Sequence, residues 1–294
     1  MRFTFIHAAD LHIDSPLAAL GVKDAAVAQR FARAGRAAVE NLVARTLEEK
    51  AAFLVIAGDL FDGDWRDVST GHFLARALGP LHRAGVPVFI QRGNHDAASR
   101  MTRELPYAES VRFFGDRKAE TIVLEPLGVA LHGRSFGHRE LPADFVASYP
   151  RARPGLLNIG VLHTSLSGAP GHDPYAPATV RDLRAFGYDY WALGHVHAGA
   201  IVHDDPWIVY PGNIQGRSVR ETGPKGAVRV TVENGRILDA APFACDAARW
   251  AHETLDISDL ADEAAVLAAA DARLAVAVAA AESRPLAIRL TFSG

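Results

Sequence analysis

The sequence contains a single cysteine, Cys245, among 294 residues. One thiol cannot form an internal disulfide, and it cannot build the thiolate-rich sites that hold structural zinc or iron–sulfur clusters. Any metal site in this chain can therefore have at most one thiolate ligand, and its other ligands must be nitrogen or oxygen atoms. A chain without a disulfide framework suits a reducing compartment, and we expect a cytoplasmic location.

Membrane signals and an excess of positive charge are also missing. The first residues, Met-Arg-Phe-Thr-Phe-Ile-His, lack the basic, apolar and cleavable segments of a secretion signal. The most apolar late stretch, residues 264–281, carries Asp271 and Arg273, which are costly at a bilayer centre, so no membrane partner is expected. With 31 basic and 34 acidic side chains the formal net charge is -3, so binding to a polyanion would depend on local basic residues.

Hydrophobic residues make up 49% of the chain, enough for a sizeable core, and they occur in short runs. These runs predict strands at residues 3–9, 53–57, 86–91, 156–162 and 190–193, each ending just before a polar or glycine-containing motif. Helix-compatible segments cover residues 25–50, 69–83 and 178–186. The alternation predicts an α/β fold with a largely parallel sheet, in which ligand-binding residues gather at the carboxyl ends of the strands.

The pattern changes after His197 to short strands at residues 200–203, 207–210, 227–232 and 236–243, with Asn234-Gly235 as a hairpin turn. A third pattern follows Asp246: a strand at 252–257, an alanine-rich helix at 260–282 and a strand at 286–292. We therefore predict a main domain at residues 1–245 and a small C-terminal α/β appendage at residues 246–294. Its thin sheet leads us to interpret the appendage as a partial, truncated β-α-β unit.

Five short segments place metal-ligand side chains directly after predicted strands. They are Asp10-Leu11-His12, Gly58-Asp59-Leu60-Phe61-Asp62, Gly93-Asn94-His95-Asp96, His163 and Gly194-His195-Val196-His197. Side chains two residues apart in an extended segment point the same way, so each Asp-x-His or His-x-His pair can grip one ion. Carboxylate, imidazole and amide donors suit manganese, iron or zinc, and manganese is the expected ion.

Each signal is weak by itself, because a lone histidine such as His163 is more often a hydrogen-bonded core residue. A structural metal is a further alternative. Structural zinc, however, favours closed sites that contain cysteine, whereas two ions that share a carboxylate are typical of hydrolytic sites. The five segments together favour a hydrolytic centre.

In type and order these residues resemble the calcineurin-like metallophosphoesterase family, over residues 3–243. The resemblance implies a four-layer αββα sandwich, with two mixed sheets flanked by helices, and a binuclear metal centre. The first ion would be held by Asp10, His12, Asp59 and His197, and the second by Asp59, Asn94, His163 and His195. It also implies that His95 contacts the phosphate and helps the leaving oxygen take a proton.

Asp62 is the expected carboxylate partner of His95, with a loop cap as the alternative role. For Asp96 we expect a cap or turn role.

Residues 5–17, 58–65 and 210–226 resemble, more narrowly, DNA-repair exonucleases of the SbcD type and their YhaO-like branch. This implies a DNA exonuclease or endonuclease that hydrolyses phosphodiester bonds with a metal-activated hydroxide. It also implies DNA, an SMC-like ATPase subunit and a second copy of the chain as partners. The better-known nuclease relatives usually carry histidine where this chain has Asp62, which puts their strand handling in doubt here.

Contacts to the DNA backbone are expected from basic residues near the motif loops, with ordinary solvated surface as the alternative. These residues are Arg92, Arg100, Arg103, Arg217, Arg220 and Lys225. Two other functions stay open. One is a phosphoesterase for nucleotides or other small molecules, which the acidic net charge favours. The other is a metal-stabilised DNA-binding subunit of an ATPase complex.

Overall fold

A computed structural model describes residues 1–15, 25–62, 68–97, 105–138, 141, 145–166 and 176–294 of the chain. The predicted DNA contacts Arg100 and Arg103 lie outside the described residues. The main-domain strands are β1 Arg2–Ala8, β2 Leu54–Ala57, β3 Val88–Gln91, β4 Val111–Phe113, β5 Glu120–Leu124, β6 Val129–Gly133, β7 Leu157–His163, β8 Tyr190–Gly194, β9 Ala200–Asp204, β10 Trp207–Tyr210, β11 Gly226–Glu233 and β12 Arg236–Ala244. The helices between them are α1 Ala25–Glu48, α2 Val68–Ala77, α3 Gly79–Arg83, α4 Asn94–Ala97 and α5 Val180–Arg184.

These strands form two six-stranded sheets. Sheet I has the order β12-β11-β1-β2-β3-β4, and sheet II has the order β5-β6-β7-β8-β10-β9. Strands β1 to β4 are parallel, whereas β11 runs antiparallel to β1 and β12 antiparallel to β11. In sheet II the strands β6, β7, β8 and β10 are parallel, and β5 and β9 are antiparallel edges. Both sheets are therefore mixed.

Alternation along β1 sends successive side chains to different cores. Phe5 points between the sheets, where its ring stacks on Phe53 at 4.8 Å and meets the edge of Tyr190 at 5.4 Å. Ile6 points the other way and packs with residues of α1 such as Leu42. One face of sheet I thus lies on sheet II and the other on helices α1 to α3.

The outer face of sheet II has its own apolar layer. Trp191 and Leu193 of β8 pack there with Leu183 of α5 and with Phe136. Helix α5 begins at Thr179, whose hydroxyl accepts a hydrogen bond from the Asp182 backbone in a capping box. The main domain thus has four layers, in the order helices, sheet I, sheet II and outer layer. This order confirms the predicted four-layer α/β sandwich.

Two details of the predicted secondary structure are wrong. The single helix predicted at 69–83 is two helices that divide at Leu78, because Pro80 near the start of α3 has no backbone N–H to continue the hydrogen-bond ladder. Strands β4, β5 and β6 were not predicted. Strand β4 has three residues and β5 is a half-exposed edge, so neither carries a strong apolar pattern.

The C-terminal residues form a separate two-stranded parallel sheet, β13 Arg249–Asp256 and β14 Leu286–Ser293, connected by α6 Glu263–Ala280. This unit contacts the main domain through Trp250, whose indole donates to the Gly216 carbonyl at 2.9 Å. The domain boundary at residue 245 stays a prediction. Among the described residues, no helix has the length and apolar content needed to cross a membrane.

Candidate metal centre

The predicted ligands follow the carboxyl ends of five parallel strands. Asp10 and His12 follow β1, Asp59 follows β2, and Asn94 follows β3, all in sheet I. His163 ends β7 in sheet II, and His195 and His197 follow β8 there. The two sheets meet at this edge, where the Nδ1 of His163 donates to the Ala57 carbonyl of β2 at 2.8 Å.

One cluster contains Asp10, His12 and His197. The Nε2 atoms of His12 and His197 lie 3.1 Å apart, and each lies 3.9 Å from Oδ1 of Asp10. Ligand atoms of these three residues all fall within 4.8 Å of one another, a spacing that one cation could bridge.

The second cluster is built around His163. Its Nε2 lies 3.3 Å from Oδ2 of Asp59 and 3.0 Å from the amide oxygen of Asn94. The same Asp59 oxygen lies 3.8 Å from Nε2 of His12, so it faces both clusters. The ring of His195 packs against the ring of His163, with centroids 5.2 Å apart. The structure thus brings all seven predicted ligands together, and their roles as ligands stay predictions.

The electrostatics of this cluster suit divalent cations. Burial favours a neutral His163, but Asp59 and Asp10 outweigh it and raise the pKa of His163 to about 9. Burial also raises the pKa of Asp59, but His163 and His12 outweigh it, so this pKa lies well below its ordinary value. Buried carboxylates and imidazoles without thiolates are donors for hard and borderline dications. The residues fit two such ions.

Four predicted ligands have a backbone conformation that is unusual for residues with a side chain. The φ angles are 53° at Asp10, 40° at His12, 54° at Asp59 and 95° at His195. Positive φ costs free energy in non-glycine residues and concentrates at functional sites. Four of the ten described non-glycine residues with positive φ are therefore predicted metal ligands.

Glycines make room for these ligands. A Cβ on Gly58, whose φ is +93°, would lie 2.3 Å from Nδ1 of His163. A Cβ on Gly93 would lie 2.2 Å from Oδ1 of Asp59. Neither position can hold a side chain without moving a predicted ligand, which explains why the motifs read Gly-Asp and Gly-Asn.

His95 and Asp62 form a pair beside the two clusters. Nδ1 of His95 lies 3.1 Å from Oδ1 of Asp62, and the Asp62 carboxylate also accepts from Ser15 at 2.7 Å. The hydrogen bond to Asp62 raises the pKa of His95 above its ordinary value. The His95 side chain is 33% exposed, so a substrate can reach it. This arrangement favours the protonated form of the His95 imidazole at the edge of the cluster.

Asp96 organises the backbone around these groups. Its carboxylate accepts hydrogen bonds from the N–H groups of Leu60, Phe61 and Gly93. Burial, followed by the nearby Asp59, raises the pKa of Asp96 to about 7. Asp96 therefore fixes the loop after β2 against the loop after β3.

The basic residues predicted to contact DNA differ in how near they lie to the predicted metal centre. Arg217 reaches it: a guanidinium nitrogen lies 3.7 Å from Oδ2 of Asp62. Lys225 donates to the His197 carbonyl at 3.3 Å, and burial lowers its pKa. Arg92 lies over the ring of Phe113, and Arg220 is exposed. Among the described members of this set, only Arg217 lies within ion-pair distance of the Asp62 carboxylate.

The structure adds Glu221, which the sequence did not single out. Its Oε1 accepts from Nδ1 of His197 at 2.7 Å. Its Oε2 accepts from the Asn213 amide at 2.9 Å and from the Arg217 backbone at 2.7 Å. Burial raises the pKa of Glu221, but the bond from His197 and nearby Arg217 outweigh it, and the pKa falls to about 2. The only signal in the sequence was its place within the distinctive stretch 210–226.

Comparison with known proteins agrees with this geometry. The calcineurin-like phosphoesterase family matches residues 3–199, and the family described as metallophosphoesterase YhaO, middle domain, matches residues 250–294. The uncharacterized metallophosphoesterase YhaO of Bacillus subtilis (strain 168) is 35% identical over 260 residues, which cover 87% of this chain. The alignment spans 64% of that relative's length.

Two solved structures align at low similarity. A dimetal phosphatase from Danio rerio aligns with a TM-score of 0.45 and 15% identity, over 79% of this chain and 93% of its own. A purple acid phosphatase from yellow lupin (Lupinus luteus) seeds aligns with a TM-score of 0.41 and 12% identity, over 82% of this chain and 53% of its own. The family matches and the ligand clusters together lead to one conclusion: the chain belongs to the calcineurin-like metallophosphoesterase family.

Proposed function

We propose that this chain hydrolyses phosphodiester bonds, that it uses two divalent cations, manganese first among them, and that its substrate is DNA. The observation that supports it most directly is the His95–Asp62 pair beside the two ligand clusters. The leaving group of a phosphodiester is an alkoxide, which needs a proton as the bond to phosphorus breaks. His95, whose protonated form is favoured by Asp62, would give that proton.

The predicted ligand set suits an anionic substrate. Only Asp10 and Asp59 among the seven predicted ligands carry negative charge, and Asn94 and the histidines are neutral when they coordinate. Two dications would then keep surplus positive charge for a phosphate and would supply activation of water. Arg217, at the edge of this cluster, adds a cation that can pair with a phosphate oxygen.

The proposal that DNA is the substrate rests on the resemblance to SbcD-type exonucleases and on the position of Arg217 beside Asp62. A test compares a DNA duplex, a single-stranded oligonucleotide, a cyclic nucleotide and a phosphomonoester with Mn²⁺ present. We expect cleavage of the oligonucleotides, with a rate that falls steeply as salt increases, because phosphate contacts by basic residues weaken with salt. A small chromogenic diester should show little salt dependence, and equal salt responses would contradict a DNA-binding groove.

The variant His95→Ala tests the catalytic role. We expect its turnover to fall by about 10²- to 10⁴-fold, the usual contribution of general acid catalysis, with bound metal unchanged. His252→Ala is a matched control, because His252 lies in the C-terminal unit and pairs with Thr291. Full activity of His95→Ala would contradict the proposed mechanism.

A phosphoesterase for nucleotides or other small molecules is a second candidate. The described basic residues favour it, since Arg92 and Lys225 engage an aromatic ring and a backbone carbonyl rather than the centre. Faster hydrolysis of the cyclic nucleotide or the monoester than of DNA would decide for this candidate.

A further inference from the structure

We infer that Glu221 is a positioning residue of the metal centre: it fixes the tautomer and the orientation of His197 so that Nε2 of this ring is available to a cation. This inference rests on the proposed binuclear centre, but it does not depend on which phosphoester is cleaved. Its basis is the different environment of the two nitrogens of the His197 ring.

The two nitrogens of His197 face opposite groups. Nε2 faces the ligand cluster, 3.1 Å from Nε2 of His12 and 3.9 Å from Asp10. Nδ1 faces Glu221 at 2.7 Å. A carboxylate can only accept a hydrogen bond, so Nδ1 must carry the proton, and the lone pair is left on Nε2. This is the tautomer that a metal ligand needs.

Arg217 offers Nδ1 of His197 an alternative hydrogen bond, which would favour the other tautomer. One of its guanidinium nitrogens lies 3.3 Å from Nδ1 of His197, and guanidinium groups only donate hydrogen bonds. If Arg217 supplied the bond to Nδ1, the proton of the imidazole would move to Nε2 and block a cation there. The shorter contact to Glu221 decides for the productive tautomer, and the same carboxylate lies 3.6 Å from the Arg217 guanidinium.

Glu221 is itself held in place. Its second oxygen accepts from the Asn213 side chain and from the Arg217 backbone, and the side chain is only 15% exposed. Because two donors converge on this oxygen, the carboxylate cannot rotate without losing both bonds. The second cluster uses a different device: Nδ1 of His163 donates to the Ala57 backbone carbonyl. A change at Glu221 should therefore affect one of the two metal sites.

Titration of the metal-free protein with Mn²⁺, with free Mn²⁺ counted by its paramagnetic resonance signal, tests this role. We expect two bound ions in the unchanged protein. In Glu221→Ala the affinity of one site should fall about 10- to 100-fold, and the other should be retained, as for other groups that orient a metal ligand. Two sites of unchanged affinity would overturn the inference.

The variant Glu221→Gln separates positioning from space filling. With its carbonyl oxygen toward the Asn213 and Arg217 donors, the glutamine presents its NH2 group to Nδ1 of His197 and favours the unproductive tautomer. We therefore expect no recovery of affinity in Glu221→Gln, and full recovery would overturn the inference. Glu49→Gln is the matched control, because Glu49 pairs with Arg45 and Arg229 away from the centre and should keep both sites.

Unfolding of each metal-free variant by heat shows whether the fold is intact, so a loss of metal can be assigned to the site. Weaker metal binding in Glu221→Ala would support the role of Glu221 even if the unsubstituted protein cleaved no phosphodiester. That second result would contradict the proposed function alone. If the protein without substitutions bound fewer than two Mn²⁺ ions, both the binuclear centre and this role of Glu221 would be overturned.

Discussion

His7 is a buried polar residue between the two sheets, and both nitrogens of its ring are satisfied. Its Nδ1 accepts from the Tyr190 hydroxyl at 3.0 Å, and its Nε2 donates to the Leu193 carbonyl at 3.1 Å. Burial lowers the pKa of His7 to about 3, with only a small opposing effect of the bond to Leu193. At the scale of single residues, His7 therefore links folding stability to pH.

The sign of the pH dependence of stability follows from the lowered pKa of His7. The unfolded chain binds a proton at His7 below about pH 6.5, whereas the folded chain binds it only near pH 3. Between these values this group should reduce the free energy of unfolding by about 1.4 kcal/mol for each pH unit of acidification. In urea unfolding of the metal-free protein, the free energy of unfolding of His7→Gln should decline less steeply with acidification than that of the unsubstituted protein. Tyr190→Phe should lower stability by about 1 kcal/mol at every pH and keep the slope; equal slopes in all three proteins would contradict the assignment.

The predicted residues of the site could be found in the sequence because each follows a strand within a short motif. Asp10 and His12 are two positions apart, as are His195 and His197, although His197 faces His12 whereas His195 packs on His163. Glu221 could not be assigned in this way, since its contact with His197 spans 24 positions and depends on the loop after β10 returning to β8. Short spacing indicates candidate ligands, whereas a contact such as that between Glu221 and His197 becomes visible only in three dimensions.

Strands that end at a polar motif are predicted well, because apolar runs with a polar residue at their end mark buried parallel strands. The predicted strand at 207–210 matches β10, and the predicted turn Asn234-Gly235 joins β11 to β12. Sequence could not show that β11 returns to sheet I beside β1, since pairing partners are set by long-range packing. The division between α2 and α3 was missed because apolar residues continue across Gly79-Pro80.

At the scale of elements, the short link after β3 brings the backbone close to a predicted ligand. Gly93 lies between β3 and α4, and a Cβ there would contact Asp59 at 2.2 Å. We expect Gly93→Ala to displace Asp59 and to reduce Mn²⁺ affinity at both sites by at least about 10-fold, since Asp59 faces both clusters.

The matched control for this change is Gly115→Ala. A Cβ on Gly115 would meet Glu120 at 3.6 Å, an ordinary contact, and this substitution should leave metal binding unchanged. Calorimetric titration of both variants measures the difference. Equal affinities in the two variants would show that the loop after β3 yields to the added methyl group.

At the scale of the whole molecule, the C-terminal unit contacts the main domain around Trp250, and Gln215 also bonds to the backbone of Ala247 and Ala248. Trp250 packs on Phe31 of α1 with ring centroids 5.3 Å apart and donates to the Gly216 carbonyl. We expect Trp250→Ala to weaken this contact by about 3 kcal/mol or more. Hydrogen exchange should then speed up in β13, α6 and β14 and stay slow in both sheets of the main domain.

His252→Ala serves as the comparison, because His252 is exposed and bonds to Thr291 within the unit. It should leave exchange at the contact unchanged. Faster exchange throughout sheet I and sheet II in Trp250→Ala would mean that residues 246–294 fold together with the main domain, contrary to the predicted boundary.

The hydrogen bond from His163 to the Ala57 carbonyl places the predicted ligands at a seam: Asp10, Asp59 and Asn94 belong to one β-layer, and His163 and His197 to the other. Cations bound there would tie the layers to each other as well as to the reaction. The apolar core between the sheets holds them together without metal, and bound cations would add to that stability, because relative sliding of the sheets would disturb coordination. Metal occupancy and the packing of one sheet on the other should therefore be coupled, each stabilising the other.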